Sequence, residues 1–281
     1  MRILIAGAEG QLGRALTRVA GHHQVMALSH RQLDITNTDS VRKAILSTRA
    51  ELVINAAAYN DVDGAESHSE LAHQVNALGP RLLALETAAA GIPLVHVSTD
   101  YIFDGAINRP YHELDPVHPL SAYGRSKLAG ELAVQSFNPR HYIARTAWLF
   151  DVDGKNFVNT MRALAGQAQV RVVSDQYGSP TYAEHLASGI IQIIGTDQFG
   201  LYHLAGSGGA VSRYELVSYL YKLLGVSTKV IAVSHHEFKT AAVRPAFSAL
   251  QSIRQPPVVL PAWQEGLRAY CDVVSRGSRK T

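Results

Sequence analysis

An α/β fold, a doubly wound parallel sheet of Rossmann type followed by a smaller mixed α/β C-terminal lobe, is predicted by three features of the sequence. A buried strand at Arg2–Ala6 runs directly into glycines at positions 7, 10 and 13 and then into a helical pattern. Short apolar runs then alternate with helical stretches up to residue 150, as a parallel sheet covered on both faces requires. From Asp151 the alternation loosens. Residues 1–150 therefore read as a dinucleotide-binding domain, with 174–196 returning to it, and 151–281 as mainly a substrate-binding lobe.

The first strand leads into Gly7-Ala8-Glu9-Gly10-Gln11-Leu12-Gly13. Leu12, Ala15, Leu16 and Val19 then share one helix face. Glycines permit a tight turn and close backbone approach, and a helix N-terminus facing the loop suits a pyrophosphate. The spacing resembles the short-chain dehydrogenase/reductase superfamily in its extended branch. Gln24–Ser29 reads as the second strand. An acid just after this strand favours NAD. Here the stretch is Ser29-His30-Arg31, with no acid before Asp34. Arginine can grip a 2′-phosphate through two hydrogen bonds, so NADPH preference is expected. Asp34 and Ile35 are expected beside the adenine, by similarity to the superfamily. Asn37 is expected to cap a helix over Val41, Ala44 and Ile45.

Leu52–Asn55 is the next strand, and Ala56, Ala57 and Ala58 at its end let a dinucleotide lie close. A polar loop from Tyr59 to Glu66 then crosses the carboxyl edge of the sheet, where ligands bind in open α/β folds. Leu71, Val75, Leu78, Leu82 and Leu85 fall at helical spacing and read as a core stripe. Asn76 interrupts it on a neighbouring face, as a buried amide or as the functional asparagine that the superfamily often has there. Pro93–Val97 is another strand, ending in Ser98-Thr99-Asp100-Tyr101. Hydroxyls there point into the crevice, and Thr99 can hydrogen-bond a substrate carbonyl. Pro116–Leu120 forms an extended entry to a helix carrying Tyr123 and Lys127. Four residues apart, these two share a helix face. A neighbouring ammonium favours the phenolate, which would lower the tyrosine pKa. His141–Thr146 is a further strand.

In the second half, Gly154–Ala165 reads as a loop and short helix, Val170–Val173 as a strand, and Tyr182–Ile194 as a helix packed back on the sheet. Gly206-Ser207-Gly208-Gly209 is a turn before a helix with Leu216, Tyr219, Leu220 and Leu223. Pro256, Pro257 and Pro261 interrupt the chain before a last helix from Ala262.

Bulk properties narrow the function classes. The 281 residues are 47% hydrophobic and 17% charged, enough for a large core. The net charge of +3 is slight, and the basic residues concentrate only in the tail Arg276–Lys280, so nucleic-acid binding is not expected. One cysteine, Cys271, excludes a disulfide framework. The 13 histidines lack metal-ligand spacing, so no metal is expected. The apolar run Ile3–Ala8 is too short for a secretion leader, and no stretch reaches membrane-span length. A cytoplasmic protein without a membrane partner is expected.

The blocks Gly7–Gly13, Asn55–Tyr59, Ser98–Gly105, Tyr123–Glu131 and Arg145–Phe150 occur in that order, followed by Gly154–Phe157, Ser174–Thr181, Gly200–Leu204 and Arg244-Pro245. Together they resemble the dTDP-4-dehydrorhamnose reductase family over nearly the whole chain. That resemblance implies NADPH-dependent reduction of the 4-keto group of a dTDP-linked 6-deoxyhexose to dTDP-L-rhamnose, a precursor of cell-wall polysaccharide and O-antigen. NADH is admitted as a second reductant. It implies Thr99, Tyr123 and Lys127 as catalytic residues, with Tyr123 and Lys127 also against the cofactor. Asn60, Val62, Tyr101 and Trp148 fall where the family contacts the nucleotide sugar, and Asn156, Gln176 and Arg244 lie in the matching later blocks. The alternatives are a reductase or epimerase for another nucleotide sugar, and a non-catalytic NADP-binding regulatory subunit.

Two departures matter. The family usually has threonine where this chain has Asn60. Some members hold Mg²⁺ between two subunits through acidic residues, one of them early in the first helix; Arg14-Ala15-Leu16-Thr17-Arg18 has no carboxylate. No metal-bridged dimer is therefore expected, but a monomer or weak homodimer.

Overall fold

The structure, a computed structural model, describes residues 1–278. The basic tail therefore lies partly outside the described residues. Six strands form the main sheet: β1 (Arg2–Ala6), β2 (Gln24–Leu28), β3 (Leu52–Asn55), β4 (Leu94–Thr99), β5 (His141–Thr146) and β6 (Gly200–His203). Their spatial order is β6-β5-β4-β3-β1-β2, and every neighbouring pair is parallel. From β1 the chain passes to β2 on one side and then to β3 on the other. The crevice at this switch point lies between the carboxyl ends of β1 and β3.

Strand side chains alternate between two buried faces. Ile3, Ile5, Leu52, Ile54 and Val95 pack against α1 (Gln11–Val19) and against the helix Ala183–Ile193. Leu4, Ala6, Val53, Leu94 and Ile143 face the other side, with α2 (Thr38–Thr48) and α3 (Gly79–Ala89). Both faces being dry explains why these strands are almost continuously apolar. Asn37 caps α2, its side chain accepting from the Ser40 amide. The return to the sheet extends past residues 174–196 to β6.

The leucine row does not form core. Leu71 is 46% exposed, Leu78 41% and Leu85 37%, whereas Ala72, Asn76, Ala77, Leu83 and Ala84 are buried. The helical stretch is broken into Ser69–His73, a π-helical segment Gln74–Leu78 and α3. One wide turn shifts the helix phase by about one residue, near 100°. On this flank runs α4 (Ala122–Phe137), which approaches so closely that a Cβ on Gly130 would sit 2.1 Å from the Asn76 carbonyl oxygen. Beside Gly130 the inner row carries small side chains, and Leu71, Leu78 and Leu85 are turned outward.

The lobe has its own core. Helix α5 (Phe157–Ala163), the parallel pair Gln169–Val173 and Lys229–Val233, α7 (Arg213–Leu224) and α8 (Trp263–Ser278) enclose Val158, Leu216, Leu220, Leu267 and Tyr270; the helix Ala183–Ile193 is α6. Ser212 and Glu215 form a reciprocal capping box at the start of α7. No helix among the described residues is long and apolar enough to cross a membrane.

Candidate active site

The glycine turn is built by contact. A Cβ on Gly7 would lie 2.7 Å from the Ala57 amide nitrogen, and one on Gly13 would lie 2.3 Å from the Gly7 carbonyl oxygen. The turn after β1 is thus pressed against the turn after β3. Buried Asn55 fixes that second turn, its Oδ1 accepting from the Ala57 amide at 3.1 Å. Gly10 is the N-cap of α1 and brings no side chain to the helix amides. Free helix N–H groups, a glycine surface and the small side chains of Ala56, Ala57 and Ala58 fit a dinucleotide pyrophosphate. Arg31 is exposed beyond β2. Asp34 Oδ1 is engaged, accepting from the Thr36 amide and hydroxyl at 2.9 and 2.7 Å. Ile35 is buried against Gly79 in the core.

The cleft above this turn has a volume of about 340 Å³. Among the sequence-derived candidates it brings together Gly10, Gln11, Leu12, Ala56, Ala57, Ala58, Asn60, Val62, Thr99, Tyr101, Tyr123, Lys127, Trp148 and Asn156. Gly7 and Gly13 lie beneath it. Ser29, Arg31, Asp34 and Ile35 sit at the end of β2, outside its lining, as do Gln176 and Arg244. Asn156 reaches back to the glycine turn and donates to Gln11 Oε1 at 2.9 Å. Arg244 forms an ion pair with Asp63 at 2.6 Å.

Ser121 caps α4, its hydroxyl accepting from the Gly124 amide, so Tyr123 and Lys127 lie within the first two turns. Both are buried. Tyr123 hydrogen-bonds the Thr99 hydroxyl and packs edge-on against Tyr101, with ring centroids 5.6 Å apart. Lys127 Nζ donates to the Val97 carbonyl oxygen at 2.7 Å. The expectation that this lysine lowers the tyrosine pKa is corrected here. Burial dominates and pushes the phenol above its ordinary value, with only the Thr99 hydrogen bond pulling the other way. Burial also draws Lys127 down to about 8, against the upward pull of Glu131. Tyr123 is thus a protonated acid at neutral pH and Lys127 remains mostly cationic.

Thr99 Oγ1 donates to Asp100 Oδ1 at 3.2 Å and accepts from the Tyr101 amide at 3.2 Å. Asp100 Oδ2 accepts from Ser248 Oγ at 2.5 Å. Desolvation raises the Asp100 carboxyl to about 6 in spite of these bonds. Asn76 braces the polar loop. Its Oδ1 accepts from the Tyr59 amide, and its Nδ2 donates to the Tyr59 carbonyl and to Ser126 Oγ. This is the buried-amide reading.

Sequence reasoning missed Asp100, Ser248, Lys155 and Arg213 around the site. Lys155 and Arg213 line the cleft. The Arg213 guanidinium lies over Trp148 at 4.2 Å from the ring centroid and over Phe157 at 4.7 Å. Trp148 has a left-handed backbone, φ 46°. Its ring covers Gly178, where a Cβ would lie 2.4 Å from the indole, which explains the glycine of the Ser174–Thr181 block. One signal for Arg213 was present: a cation in the first turn of a helix opposes the helix dipole.

Comparisons with known proteins agree with this geometry. The family model described as RmlD substrate binding domain matches residues 1–276. The dTDP-4-dehydrorhamnose reductase of Mycolicibacterium smegmatis is 41% identical over 282 residues, covering 98% of this chain and 85% of that protein. A crystal structure of a dTDP-4-dehydrorhamnose reductase from Clostridium acetobutylicum superposes with a TM-score of 0.94 at 38% identity, covering 98% of this chain and 100% of the other. The Bacillus anthracis enzyme, solved in complex with NADP, gives a TM-score of 0.92 at 36% identity, covering 96% and 98%. With these matches spanning nearly its whole length, the chain belongs to the RmlD substrate binding domain family, that of the dTDP-4-dehydrorhamnose reductases.

Proposed function

We propose that this protein reduces the 4-keto group of dTDP-4-dehydro-6-deoxy-L-mannose to give dTDP-L-rhamnose, with NADPH as reductant. The observation that carries the reading is the convergence of Thr99, Tyr123 and Lys127 at one end of a cleft whose floor is the glycine turn. When bound, NADPH supplies the hydride. Tyr123 then gives its phenolic proton to the developing alkoxide. Burial keeps that proton in place until substrate arrives, so the residue enters as an acid. Lys127 holds the cofactor ribose, its ammonium anchored on the Val97 carbonyl oxygen. Thr99 orients the carbonyl; its proton must turn from Asp100 to donate to the substrate.

The cofactor lies over Gly7, Gly10, Gln11, Leu12 and Gly13, with Ala56, Ala57 and Ala58 beside it. Arg31, with Ser29, receives the 2′-phosphate, while Asp34 shapes the adenine end through its turn and Ile35 supports it from the core. Asn60, Val62, Tyr101 and Trp148 wall the sugar nucleotide. Asn156 closes over the glycine turn, and Gln176 and Arg244 support the wall from behind. We read the enzyme as cytoplasmic and as a monomer or weak homodimer.

The test is NADPH oxidation with dTDP-4-dehydrorhamnose, followed for wild type and Tyr123→Phe. Wild type is expected to turn over, faster with NADPH than with NADH, and Tyr123→Phe to lose about 10²–10⁴-fold in kcat, the usual worth of a positioned acid. A wild-type protein that binds NADP but reduces nothing would support a regulatory subunit. Full activity of Tyr123→Phe would remove the proton-transfer role.

A further inference from the structure

Arg213 carries three separate penalties. It is the first residue of α7, where the helix dipole disfavours a cation. Its side chain is half-buried at the cleft, and desolvation draws its pKa down from the ordinary value. A second arginine, Arg244, is close enough to depress it further. Arg244 has Asp63 as a counter-ion. Arg213 takes part in no ion pair among the described residues; the acid whose charge reaches it, Asp100, already accepts the Ser248 and Thr99 hydroxyls. Its other neighbours are the faces of Trp148 and Phe157 and the Tyr101 hydroxyl, none of which carries negative charge.

A half-buried cation with no ion-pair partner is unfavourable unless a ligand brings one. An anion here would relieve all three penalties together. We propose that Arg213 binds the diphosphate that joins nucleoside to sugar in the substrate. This rests on the reading that the substrate is a nucleoside-diphosphate sugar. The cofactor's own pyrophosphate belongs to the glycine turn on the opposite, core wall; Arg213 projects from the lobe, beside the residues read as the sugar wall. The guanidinium packs on the Trp148 and Phe157 rings and contacts the Tyr101 hydroxyl, which hold it at the cleft, and its forked N–H groups suit a diphosphate.

The experiment is calorimetric titration of thymidine diphosphate and of thymidine into the full chain with saturating NADP⁺, for wild type, Arg213→Met and Arg213→Lys. Thermal unfolding of each variant shows that it is folded. Wild type is expected to bind thymidine diphosphate about tenfold or more tighter than thymidine, the scale of one charge-assisted contact. Arg213→Met is expected to lose that margin, with thymidine and NADP⁺ affinities unchanged, and Arg213→Lys to recover part of it. Unchanged thymidine diphosphate binding by Arg213→Met overturns the inference and leaves the reductase reading standing. Equal loss of thymidine binding overturns it in favour of a packing role beneath Trp148. Loss of NADP⁺ binding instead assigns Arg213 to the cofactor. A wild type that binds neither nucleoside overturns both this inference and the substrate reading.

Discussion

Asp100 sits where a carboxylate is hardest to keep charged. It is 2% exposed, and two hydroxyls, Thr99 and Ser248, are its polar support. Its pKa rises from 3.8 to about 6 because desolvation outweighs those bonds. A carboxyl with a raised folded-state pKa favours the fold while protonated. Its contribution is fully present below about pH 4 and is lost as pH climbs through about 6. Asp34, Asp115 and Asp175 are lowered and act in the opposite sense, so the comparison must be made against a variant. Asp100→Asn, which cannot ionise, is expected to gain stability relative to wild type between pH 5 and pH 8, by about 2 kcal/mol at most. Melting curves of both proteins across that range check it; a constant difference in Tm would show that Asp100 does not titrate there. At this scale the sequence is legible where a short motif carries the chemistry: Thr99, Tyr123 and Lys127 fall within 29 positions of each other in one strand–helix unit. Asp100 is not, because the Ser248 that engages it lies 148 residues further along the chain.

Helix α4 fixes Tyr123, the proposed proton donor, through backbone contact. A Cβ on Gly124 would lie 2.2 Å from the Tyr101 carbonyl oxygen and 3.0 Å from Pro119 Cβ, so the residue after Tyr123 must be glycine for the helix to seat. Gly124→Ala has to push α4 away from the turn holding Tyr101. Overpacking of this kind costs about 1–3 kcal/mol. The expected result is a lower unfolding midpoint in urea and a fall in kcat of at least about tenfold, larger than any change in the KM for NADPH, because a displacement near 1 Å misplaces the phenol. Wild-type kcat in a folded Gly124→Ala protein would show that the contact is slack. Elements with strong local signals could be read directly, Arg2–Ala6 and the Asn37 cap among them. The outward leucine row could not. Its periodicity is sound, yet which row faces inward depends on the wide turn at Gln74–Leu78 and on the proximity of Gly130, neither visible in a hydrophobic pattern.

Across the whole molecule, lobe and core are joined at the cleft by a few polar ties: Arg244 to Asp63, Ser248 to Asp100, Asn156 to Gln11, and Asp151 to Arg18 at 2.8 Å. The Asp63 side chain is 42% exposed, so its pairing with Arg244 acts through geometry more than stability. Asp63→Asn is expected to loosen Arg244 and raise the KM for the sugar nucleotide about threefold to tenfold, with kcat and the KM for NADPH within about twofold. Equal rises in both KM values would mean that the tie shapes the whole cleft. The sheet was readable as far as β5 because each strand is an apolar run closed by turn residues. β6, a four-residue strand that opens on glycine and ends on histidine, offers no apolar run, and the two-residue lobe strands are too short for any periodicity, so their partners define them.

The placement of Trp148 bears on how such a protein can evolve. Its indole rests on Gly178 and beneath Arg213, residues from two distant parts of the chain, while the proton-handling residues come from β4 and α4. Substitutions around Trp148 can therefore accumulate without reaching Tyr123 or Lys127, whose contacts run through Tyr101 and Val97. A lineage built on this plan can change the sugar it accepts and inherit its reaction intact.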